Sequence, residues 1–226
     1  MSDVWVSSVY SDTQLGNKLG IRAKFFGHAW EPPTHNVPRQ PEKVGDACSN
    51  KHHKGETLTR EDFPEASYVF SEKHFKRARD LFYAGGFFAV KGKLAEVLAQ
   101  FDLGTGGLIP YPIYQEDKVT ELEGPFFLIN FGAQKQSFLP SESQKVEPFF
   151  TLERHGFEVW NAKFGLEDGD IAVSTAALDG PDLWFEPRLR NKILLSGALV
   201  DAIKTARVKV DLSLTQCRVV GAGVGQ

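Results

Sequence analysis

Only 2 of the 226 residues are cysteine, too few to staple a chain of this length, so no disulfide framework is expected. No apolar run approaches the ~20 residues that a membrane-spanning helix requires. The opening stretch, MSDVWVSSVYSDT, has no basic start feeding an apolar segment, and no secretory leader is expected. A basic stripe able to neutralise a phosphate backbone is missing too. Net charge is −3; residues 1–100 hold 14 Lys and Arg against 12 Asp and Glu, and residues 101–226 hold 12 against 17. Lys73, Lys76, Arg77 and Arg79 come nearest to such a stripe, and at helical spacing they spread around a solvated face. These absences describe a soluble cytoplasmic protein with neither nucleic acid nor membrane as its partner.

Signatures of catalysis are equally scarce. No serine lies in G-x-S-x-G, and Ser196-Gly197 opens a helix, where serine serves as an N-cap. In LGTGGL (103–108) the glycines close a helix instead of opening one, so they face its carbonyl end, and no Lys-Ser/Thr follows. Cys217 alternates with Leu212, Leu214 and Val219 and reads as a buried strand thiol, not as the partner of a distant His155. No pair of carboxylates singles itself out for acid–base work. The expectation is a protein that is not an enzyme, with no catalytic residue and no cofactor. A metal remains an alternative at Cys48, His52 and His53, with His28 and His35 upstream. Zinc wants about four converging ligands. C-x3-H-H offers no second ligand pair, and adjacent histidines aim poorly at one ion, so a polar loop bracketed by Lys51 and Lys54 is the plainer reading.

Apolar residues make up 42% of the chain and aromatics 12%, with 18 Phe, enough for a sizeable core. Val4–Tyr10 and Ile21–Gly27 read as strands joined by a polar turn at Ser11–Gly20. His28–Ala66 holds five prolines and no period, and reads as a long surface excursion. Order returns with a strand fragment at Tyr68–Phe70. A helix capped by Ser71 and striped by Phe75, Ala78 and Phe82 follows, ending at Gly85-Gly86. Phe87–Val90 is a strand. Leu94, Val97, Leu98 and Phe101 mark a second helix that stops at Leu103-Gly104. Strands are expected at Tyr111–Tyr114, Pro125–Phe131, Glu158–Phe164, Asp170–Ser174, Asp182–Phe185 and Ile193–Leu195. A third helix runs through Leu199, Ile203 and Ala206, and Val208–Val219 alternates with period two. The fold class is α+β: a mixed, largely antiparallel sheet flanked by about three helices. Residues 1–67, two strands and the long loop, join residues 68–226 in one compact unit.

One internal similarity is visible. Phe87–Leu103 laid on Lys192–Val208 without a gap matches Gly92 with Gly197, Leu94 with Leu199 and Leu98 with Ile203. Each copy is preceded by an Asp-Leu-aromatic-aromatic step, Asp80–Tyr83 and Asp182–Phe185. A weak duplication and two independent strand-to-helix units both account for it.

Acidic surface is the strongest functional signal. Gln115–Glu123 carries Glu116, Asp117, Glu121 and Glu123 against Lys118 alone. No Lys or Arg occurs between Phe164 and Pro187, where Asp179, Asp182 and Glu186 surround Trp184 and Phe185. A tryptophan edged by carboxylates suits a basic protein partner, charge speeding encounter and the ring anchoring the contact. Ordinary turn chemistry with Trp184 in the core is the competing account.

The run LAEVLAQFDLGTGGLIPYPIY, with PFFLINF, PSES and GPDLWFEPRL followed by ILLSGALVDAI, resembles the immunity protein eleven family of bacterial polymorphic toxin systems, formerly a domain of unknown function. The likeness spans roughly residues 68–219. It implies a cytoplasmic antidote that binds and neutralises a cognate toxin protein, with no catalytic residues to carry over. The alternatives are an enzyme that reverses a toxin's modification and a metal-dependent binding or regulatory module.

Overall fold

The computed structural model describes residues 3–11, 15, 19–33, 45–152, 157–208 and 210–221. His35, His155 and most of the turn expected at Ser11–Gly20 lie outside them. In chain order the first strands are β1 (Val4–Ser7), β2 (Ile21–Lys24), β3 (Ala66–Val69), β4 (Leu81–Ala84) and β5 (Phe87–Lys91). Next come β6 (Gly107–Pro110), β7 (Ile113–Tyr114), β8 (Phe126–Asn130), β9 (Val146–Leu152) and β10 (Phe157–Ala162). The last are β11 (Ala172–Ser174), β12 (Leu183–Phe185), β13 (Ile193–Ser196), β14 (Leu214–Gln216) and β15 (Arg218–Val220). The helices are α1 (Asp46–His52), α2 (Glu72–Phe75), α3 (Gly92–Leu98) and α4 (Gly197–Thr205).

The fold is α+β with antiparallel pairing dominant; of the paired strands only β3–β7 and β11–β15 run parallel. Pairing is divided among five sheets, β12-β13-β1-β14, β4-β5-β8-β6, β2-β3-β7, β9-β10 and β11-β15, where a single sheet was expected. Period-two geometry explains how they stack. On β5, Phe88 and Val90 face α3 and α4, Phe87 and Ala89 face the β2-β3-β7 side, and all four are fully buried. On β13, Ile193 and Leu195 join the helix-side core while Leu194 turns to a third core with Val4, Phe138 and Ile171. Both central strands are thus covered on two faces, which accounts for their unbroken apolar runs. β1 pairs with β13 and β14, and β2 with β3, so both N-terminal strands are hydrogen-bonded into sheets with later strands.

Two local expectations are corrected. Residues 81–84 are strand, not the end of a helix, and α2 is a single turn. Gly85 and Gly86, at φ 59° and 92°, make the tight turn of a β4–β5 hairpin that a two-residue connection with positive φ favours. The stretch 28–66 is likewise not all loop, since it holds α1 and a 3-10 turn at Arg60–Asp62. α1 has no apolar stripe to announce it and is held from outside: His52 is 1% exposed, inserted among Phe63, Phe87, Phe88 and Phe131.

The internal similarity has a structural counterpart. Leu81 pairs with Val90 and Leu183 with Leu195, so Asp80 and Asp182 occupy equivalent places. The Asp80 carbonyl accepts from Lys91 N (3.0 Å) and the Asp182 carbonyl from Ser196 N (2.9 Å), each donor being the N-cap of the following helix. Residues of α3 and α4 then share one core. The units differ in their turns: Gly85-Gly86 joins the first hairpin, whereas residues 186–192 join the second.

Candidate functional site

The turn that follows β7 is the most acidic exposed feature. Gln115 N donates to the Thr120 carbonyl (2.7 Å) and Leu122 N to that of Ile113 (2.7 Å), closing a hairpin around residues 115–121. Asp117 is folded into it: one carboxylate oxygen accepts from Val119 N (2.9 Å) and Thr120 N (2.8 Å), the other from the Thr120 hydroxyl (2.6 Å). The hydroxyl bond and these amides hold the Asp117 carboxyl below the ordinary range. Bracing of this kind fixes the turn before any partner arrives, which lowers the ordering cost of binding. Glu116, Glu121 and Glu123 are exposed and form no ion pair with a described cation. Val119 is 79% exposed at the tip.

Aromatics stand beside these carboxylates. Lys118 leans back over the Tyr68 ring, its Nζ 4.5 Å from the centroid. Half-buried Trp30 sets its ring edge-on to Tyr68 (5.4 Å) and to Tyr114 (6.0 Å), the residue at the base of the turn. Burial pushes the Tyr68 phenol up, and Glu31 and Glu116 add to it. An acidic turn with an apolar tip and a tryptophan at its foot therefore exists, at a place where sequence reasoning found only the charge. Trp30 sits in a stretch without period, and nothing in its neighbours ties it to residue 114.

The second expected patch is taken apart. Trp184 is 0% exposed and Glu186 2%, so neither lines a surface. β12 places Trp184 opposite Leu194, on the side that turns into the third core. Glu186 is an internal acceptor: Oε2 takes Ser137 N (2.7 Å), Phe138 N (2.9 Å) and the Ser137 hydroxyl (3.1 Å). Asp182 is half-buried, accepting from Asp102 N (3.1 Å) and the Ser196 hydroxyl (2.6 Å). Of the group, only Asp179 is exposed.

Lys135 further offsets the charge there. Its Nζ lies 3.6 Å from the Trp184 ring centroid and 3.1 Å from the Ala177 carbonyl. Burial pushes its pKa down to about 8, although Asp182, Asp179 and Asp102 pull the other way. The unfolded chain, with an ordinary lysine, holds that proton to higher pH, so wild-type stability should rise from pH 8 towards 10 relative to Lys135→Met. Urea titrations of both proteins at several pH values measure this; a difference that does not change with pH contradicts it.

The three metal-alternative residues point to different partners. Cys48 Sγ donates to Asp62 Oδ1 (3.3 Å), His52 Nε2 accepts from Phe88 N (3.3 Å), and His53 stands edge-on to Tyr10 (5.1 Å). Among the described residues no group of three or more His, Cys, Asp or Glu side chains converges as metal ligands would. Burial keeps the His52 pKa well below the ordinary value, so the ring is neutral in the core.

A cavity of about 500 Å³ opens between the end of α1, residues 134–136 and the enlarged 186–192 turn. His53, Lys54, Gln134, Gln136, Arg190 and Asn191 are among the residues lining it. Among the described residues no helix is long and apolar enough to cross a membrane. No family model matches this chain, and no curated protein matches it.

Proposed function

We propose that this protein is a cytoplasmic immunity protein, a stoichiometric antidote that binds a cognate toxin through the acidic turn 115–123 and the Trp30–Tyr114 edge. The observation that carries the reading is the combination, on one braced turn, of exposed glutamates with an exposed apolar tip and an adjoining tryptophan. Such a surface suits a basic patch on a partner, with the ring as anchor and the carboxylates as rim. The acidic balance of residues 101–226 acts in the same direction. A contact of ~800 Å² per partner is the ordinary size for such a complex.

Charge reversal at Glu116, Glu121 and Glu123 should weaken toxin binding at least tenfold at low salt, chiefly by slowing association, and should flatten the salt dependence. Trp30→Ala should remove an anchor worth about 2 kcal/mol. Surface plasmon resonance against the captured partner reads both. Unchanged affinity in the two variants would move the interface elsewhere.

The 500 Å³ cavity favours a second reading, an enzyme that reverses a toxin's modification. The two differ in dose: an antidote protects mole for mole, an enzyme protects at a small fraction of that.

A further inference from the structure

Lys192 is the only described lysine that is buried, 7% exposed, at the end of the 186–192 turn. Among the described residues its one polar partner is the Ser8 hydroxyl, 2.6 Å from Nζ, and no carboxylate pairs with it. A buried ammonium without a counter-ion is costly to hold, because desolvation is not offset by an opposite charge. Lys192 lines a cavity of about 570 Å³ that Arg79 and Lys163 also line. Among the described residues Asp211 is its sole acidic one, and that carboxylate already accepts from Ser213 N (2.9 Å) in its own turn. Lys163 is held 3.5 Å from Glu147 at the outer edge. Ser8 and Thr215 add hydroxyls to the lining, groups able to donate to an oxyanion, while the Ser213 hydroxyl donates to Asp211 (3.4 Å). Phe164, which also lines this cavity, is 97% exposed, a flat ring with nothing laid on it.

We infer that this cavity binds a small phosphomonoester carrying a planar ring, its phosphate on Lys192 and its ring on Phe164. Phosphate supplies the counter-charge that no described carboxylate gives Lys192, and it accepts from ammonium and hydroxyl together. The cavity is far larger than a bare phosphate needs, and the exposed phenyl ring gives the remainder of the ligand a stacking surface. The site is independent of the acidic turn.

Isothermal titration of the full chain with inorganic phosphate, ribose 5-phosphate, adenosine monophosphate and adenosine tests the assignment. The three phosphate-bearing probes should bind and adenosine should not, with adenosine monophosphate several-fold tighter than ribose 5-phosphate. Lys192→Met, which keeps the volume, should weaken every phosphate probe at least tenfold. Phe164→Ala, at a fully exposed position that folding does not depend on, should erase only the advantage of adenosine monophosphate. No binding of any phosphate at millimolar concentration, or equal binding by Lys192→Met, would overturn the site. Equal affinity for the two phosphate esters, unmoved by Phe164→Ala, would overturn the ring contact.

Discussion

Trp184→Ala should lower the unfolding free energy by about 3–5 kcal/mol, the range for removing a fully buried large aromatic side chain. The indole sits among Val4, Val6, Phe138, Ile171, Leu189, Leu194 and Cys217, so truncation opens a void that several elements border and none can fill alone. The same change takes the ring from beneath Lys135, 3.6 Å away, and leaves an ammonium facing the gap. Its indole N–H has no partner, so no acceptor is stranded, and the loss is one of packing. Trp184→Phe should therefore recover much of it. Against a total stability of about 5–15 kcal/mol for a domain, the alanine variant should be visibly less stable in urea. A midpoint within error of wild type would mean that Trp184 is not in the core.

Glu186→Ala should be nearly as damaging, by about 3 kcal/mol, for a different reason. Its carboxylate is the acceptor for Ser137 N, Phe138 N and the Ser137 hydroxyl on one oxygen, and for Arg188 N (3.4 Å) on the other. Deleting it leaves backbone donors buried without partners, which costs more than the hydrogen bonds themselves contributed. Glu186→Gln keeps one oxygen for the Ser137 and Phe138 amides and should cost much less. Burial pushes the Glu186 pKa up despite these donors. A carboxyl whose folded value is raised favours the fold most below its unfolded pKa and loses that advantage as pH climbs through the folded one. Wild type should accordingly lose stability relative to Glu186→Gln between pH 4 and neutrality. Equal effects of Ala and Gln would show that the amide donors find other partners.

These two residues mark where sequence reasoning stops. Asp182, Trp184 and Glu186 sit in a run without cations; charge suggested a surface, and the competing account, Trp184 in the core, is the one the burial bears out. β12 is three residues long and covered on both faces, so alternation assigns Trp184 and Phe185 to opposite sides without saying that both sides are filled. The stripe Phe75, Ala78, Phe82 matched a helix because four strand residues are too few to tell the two periods apart, although Gly85-Gly86 between apolar runs carried the hairpin signal. Strand β5 with helix α3, and β13 with α4, were legible because a short apolar run hands over to a stripe of i, i+3, i+4 spacing. The acidic turn was legible from its charge. Trp30 and Lys192 were not, since each owes its place to segments that the chain brings together from far apart.

The central claim, stoichiometric neutralisation of a toxin, is tested most directly by recovering tagged protein from its native cells and measuring the molar ratio of whatever accompanies it. A single near-equimolar partner, lethal when expressed alone and harmless when this protein matches it mole for mole, is the result expected. No such partner, or protection at a small fraction of the partner's amount, would contradict it.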